Sequence, residues 1–61
     1  MEHFREAVRI NPAHAAAHNN LGYALLLQGK LEEAIAHFRQ ALRIQPGFAE
    51  AHENLRRALG L

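Results

Sequence analysis

Apolar residues recur every three or four positions through the middle of the chain. Leu31, Ala34, Ile35, Phe38, Ala41 and Leu42 follow that spacing, which places them on one stripe of a helix facing a core. Ala17, Leu21, Ala24 and Leu25 repeat it in the preceding segment. Gln28-Gly29-Lys30 interrupts the pattern, with a glycine able to take the left-handed conformation that ends a helix. The stretch therefore predicts two amphipathic helices folded back antiparallel. Met1, Phe4, Ala7 and Val8 predict an earlier helix over Met1–Ile10, stopped by Asn11-Pro12 because proline lacks a backbone donor and restricts the residue before it. After the breaker Gln45-Pro46-Gly47, a last helix is predicted from about Phe48 to Leu59. No segment alternates with the period of two that a strand requires. The expectation is all-α, with four antiparallel helices, the second from about Ala13 to Leu27 and the third from about Leu31 to Ile44.

The flanking segments are partial copies of the central one. At an offset of 34, His3, Phe4, Arg5, Ala7, Arg9, Ile10 and Pro12 return as His37, Phe38, Arg39, Ala41, Arg43, Ile44 and Pro46. Ala15, Ala17, His18, Asn20, Leu21, Ala24, Leu25 and Leu27 return as Ala49, Ala51, His52, Asn54, Leu55, Ala58, Leu59 and Leu61, so 15 of 27 comparable positions are identical. A fixed period of this length is the signature of a repeat array.

His18, Leu21-Gly22, Leu25, Ala34, Phe38 and Pro46 stand at the spacing of a known helical hairpin, and on these residues the chain resembles the tetratricopeptide repeat family. Gly29 and Ala41 are also in register. Two positions depart from the family pattern: His18 stands where tryptophan is usual, and Leu25 where tyrosine is. The resemblance implies a fragment of an α-solenoid, with 1–11 as the second helix of one unit, 15–48 as a complete unit and 49–61 as the first helix of another. It also implies a role in protein–protein interaction.

Composition narrows the function by what is missing. The chain has 61 residues and no cysteine, and it contains no serine, threonine or aspartate, so hydroxyl or thiol nucleophiles paired with a base are excluded apart from Tyr23. Six scattered glutamates suggest no acid/base pair, and Glu32-Glu33 suit the positive end of a helix dipole. Gly22, Gly29, Gly47 and Gly60 are dispersed and form no phosphate-binding loop. No enzyme activity, catalytic residue or cofactor is predicted. A formal charge of +1 is no nucleic-acid footprint, and the arginines read as solvated helix backs balanced by glutamates. The longest apolar run, Ala24–Leu27, is far short of a membrane span. The absence of cysteine fits a reducing, cytoplasmic setting.

Five histidines are many for this length. His14 and His18 stand four apart on one helix and with His52 or Glu50 would make a metal-binding helical module, an alternative reading. Stacked helices separate His18 from its equivalent His52 by about 10 Å, which is too far for both to hold one ion. The preferred reading assigns no metal: His18 and His52 replace aromatic packing residues, while His3 and His37 decorate the outer surface.

Two faces remain for binding. The resemblance implies a concave groove lined by the first helix of each unit. Here Ala16, Asn19, Asn20, Tyr23, Leu26 and Leu27 would face it from one helix, and Glu50, Glu53, Asn54 and Arg57 from the next. Asn20 and Asn54 are repeat equivalents, and their amides offer a donor and an acceptor to a peptide backbone. The lysines and arginines of the carboxylate-clamp subtype are absent, since Ala16, Asn19 and Glu50 stand in the groove. The second face is the pair of unfinished ends. Met1, Phe4 and Val8 at one end, and Leu55, Leu59 and Leu61 at the other, are predicted to be covered by self-association, as a dimer or a head-to-tail assembly.

Overall fold

The computed structural model describes residues 12–60. Among them are three helices: α1, Pro12–Leu27; α2, Leu31–Ile44; and α3, Ala49–Leu59. The described fold is thus all-α with three helices rather than four. The helix predicted over Met1–Ile10 lies outside the described residues, and so do Met1, Phe4, Val8 and Leu61. The third predicted helix has the bounds of α2, while α3 starts one residue later than expected.

The turn between α1 and α2 closes by backbone alone. Gly29 takes φ +81°, its N–H donates to the Leu26 carbonyl at 3.0 Å, and the Lys30 N–H donates to the Leu25 carbonyl at 2.9 Å. These two bonds satisfy carbonyls that the end of a helix otherwise leaves without partners. With only three residues between them, α1 and α2 run antiparallel. Glu32 and Glu33 lie in the first turn of α2 and Arg43 in its last; Glu50 opens α3, and Arg56 and Arg57 close it. Each charge opposes the partial charge of its helix end.

All three helices share one small core, formed by Leu25, Ala34, Phe38 and Ala58, with Leu26, Ile35 and Leu55 packed against it. Among the described residues Phe38 is the only large side chain that is fully buried, and burying it stabilises the fold by about 1.5–3 kcal/mol. The remaining buried apolar positions are mostly alanine, which lets the backbones approach closely. The buried face of α2, Ala34, Phe38 and Ala41, belongs to the expected stripe, although Leu31 at its start is half exposed.

On α1 the buried stripe is rotated from the expected one. Ala15, Asn19, Gly22 and Leu25 face inward, whereas Ala17, Leu21 and Ala24 are exposed. Small size, rather than hydropathy, selects this face. Gly22 lies against the Phe38 ring, where no side chain fits, and Asn19 is buried with its amide bonded to a partner on α3.

Candidate functional site

α2 packs against both other helices, while α1 and α3 meet far less extensively. A groove of about 600 Å³ opens between α1 and α3. Residues at helical spacing line it from each side: Asn19, Asn20 and Tyr23 on α1, and Glu50, Glu53, Asn54 and Arg57 on α3.

Its floor is a pair of buried amides. Asn54 Nδ2 donates to Asn19 Oδ1 at 3.0 Å, and the two residues are 6% and 2% exposed. No buried side-chain nitrogen or oxygen among the described residues lacks a partner. The pair therefore sits in the interior without the penalty of about 1–3 kcal/mol attached to an orphaned polar group. Asn20, Tyr23, Glu50, Glu53 and Arg57 form the exposed rim. That rim carries two carboxylates, one guanidinium, a phenol and an amide. Glu53 also approaches Arg56 at 4.0 Å, a solvent-exposed contact of little energetic weight.

Of the groove residues named from sequence, Asn19, Asn20, Tyr23, Glu50, Glu53, Asn54 and Arg57 come together here. Leu27 does not. It lies at the end of α1, 71% exposed and away from the groove lining, and Leu26 packs toward the core instead. Asn20 and Asn54, equivalent by the repeat, are placed differently: Asn54 is buried and bonds to Asn19, its neighbour in the fold, while Asn20 stays at the surface. A repeat-to-repeat comparison pairs identical letters, whereas the close approach of α1 and α3 pairs positions one residue out of step.

Among the predicted self-association residues, Leu55 is half buried against the core and Leu59 is 45% exposed. Leu21 and Leu31 are comparably exposed.

The histidines are arranged differently from the sequence expectation. His52 is exposed, and its Nε2–H donates to the Pro46 carbonyl at 3.0 Å, tying α3 to the turn before it. His37 does not decorate the outer surface: it is half buried and stacks on His18, with ring centroids 5.3 Å apart and the two Nδ1 atoms 3.1 Å apart. His14, His18 and His52 are not gathered around one point, since no group of three or more potential metal ligands exists among the described residues. The pairing of His18 with His37 joins α1 to α2, and their separation of 19 residues, unrelated to the repeat, gave no sequence signal. No helix among the described residues is long and apolar enough to cross a membrane.

The sequence profile of the tetratricopeptide repeat matches residues 15–48, the stretch that holds most of α1, all of α2 and the turn into α3. No curated protein and no solved structure matches the chain.

Proposed function

The chain belongs to the tetratricopeptide repeat family, whose units are protein-interaction modules rather than catalysts, and we propose that its groove between α1 and α3 binds an extended peptide. The observation that carries this reading is the convergence of seven residues at helical spacing on one concave surface with a buried amide floor. A peptide backbone has a donor and an acceptor at each residue, and the rim amide of Asn20 and the phenol of Tyr23 match both. Glu50, Glu53 and Arg57 add charge of both signs, which suits a ligand of mixed charge better than a purely acidic one. The test is titration of an extended-peptide library against the wild type and an Asn20→Ala, Arg57→Ala double variant. Both substitutions lie on the exposed rim and spare the core. Binding that weakens in the variant supports the groove, and equal binding by both proteins places the peptide elsewhere.

A second part of the proposal concerns assembly. Leu21, Leu31 and Leu59 are each close to half exposed, and Ala17, Leu21 and Ala24 form an apolar flank of α1 turned away from the groove. Solenoid units carry such apolar flanks because neighbouring units cover them. A second copy of the chain, whose 34-residue self-similarity supplies matching helices, is the occupant we assign to this flank. Sedimentation over a range of concentrations tests it. A monomer that keeps full helicity at every concentration removes this part while leaving peptide binding untouched.

A further inference from the structure

The His18–His37 pair bridges α1 and α2 on neither the groove nor the core, and peptide binding does not use it. We infer that these two imidazoles form a two-nitrogen chelate for a divalent transition-metal ion of the zinc, nickel and copper class. Their Nδ1 atoms are 3.1 Å apart, and both rings are half buried. An ion held at about 2.0–2.1 Å from each nitrogen spans about 2.9 Å between them at a right angle and about 3.3 Å at the tetrahedral angle. The observed separation falls inside that interval, so the two nitrogens already have the spacing of adjacent ligands on one ion.

The chemistry of the pair agrees. In the metal-free protein one Nδ1 donates its proton to the other, which requires different tautomers in the two rings. Binding needs only that the donor ring carry its proton on Nε2, after which both Nδ1 lone pairs face the ion and no net proton is lost. Neutral imidazole suits this class of ion, and partial burial still leaves it a route in. Two protein nitrogens leave the remaining coordination positions to water or to a second chain. No third ligand joins the pair among the described residues, so the site is an open one.

The competing arrangement is the i, i+4 pair of His14 and His18 on α1 alone, and zinc titration of the intact chain separates the two. Long-range proton–nitrogen correlation spectra of the wild type should show zinc moving Nδ1 of both His18 and His37. His37→Gln should weaken zinc binding by roughly tenfold or more, while His52→Gln leaves it unchanged. The spectra need no variant, so a poorly folded His37→Gln chain does not blunt the test. The inference is overturned if His14 responds in place of His37, if coordination is through Nε2, or if saturating zinc moves neither ring. One ion per chain and one per two chains both support it.

Discussion

A Cβ placed on Gly22 would stand 2.6 Å from Phe38 Cε1 and 2.8 Å from its Cδ1. The aromatic ring of α2 thus rests on the bare backbone of α1, and the closeness of the two helices depends on the missing side chain. Gly22→Ala forces the ring aside. Overpacking of this kind costs about 1–3 kcal/mol, against which alanine returns about 1 kcal/mol of helix propensity. The expected result is a net fall in the urea midpoint, and that fall should shrink in a Phe38→Leu background because the two positions are coupled. A rise in midpoint would contradict the contact.

The amide floor of the groove makes a separate prediction. Asn54→Ala leaves Asn19, 2% exposed, without the donor it accepts from, and should lower stability by about 1–3 kcal/mol. Asn20→Ala, at an exposed position, should change stability by no more than about 0.5 kcal/mol. Denaturant unfolding of the two variants side by side distinguishes the structural amide from the surface one.

Gly29 has nothing within 4 Å of where its Cβ would be, yet its φ is +81°. The effect of Gly29→Ala is therefore purely conformational, a loss of roughly 1–2 kcal/mol. Gly29→Asn should lose less than Gly29→Ala, since asparagine tolerates the left-handed region. Thermal melts followed by circular dichroism would rank the three proteins.

Leu21→Glu and Leu59→Glu each place a charge on an exposed apolar position. If a second copy covers these residues, both substitutions shift the sedimentation profile toward monomer without reducing helicity, because an unpaired charge is costly to bury. Unchanged sedimentation in both variants would count against that interface.

The all-α class, the bounds of α2 and the glycine turn were legible because each rests on local rules: spacing of apolar residues, and a backbone conformation that glycine adopts readily. Seven groove residues were placed together through the family resemblance, which carries long-range geometry that periodicity alone does not. The inward face of α1 differs from the one hydropathy selects, since hydropathy favours Ala17, Leu21 and Ala24 over Asn19 and Gly22, and only contact with Phe38 and Asn54 explains why the latter two are buried. The His18–His37 stack leaves no trace in the sequence for the same reason: it joins residues related by tertiary packing and by no spacing in the chain.

The buried amide bond crosses from the 15–48 unit to the helix beyond it. Buried alanines such as Ala15 and Ala51 offer no directional contact, whereas the amide bond at 3.0 Å weakens with displacement or rotation. Asn19 and Asn54 thereby act as an indexing pin that sets the angular step from one unit to the next, and with it the curvature of any longer superhelix built from this repeat.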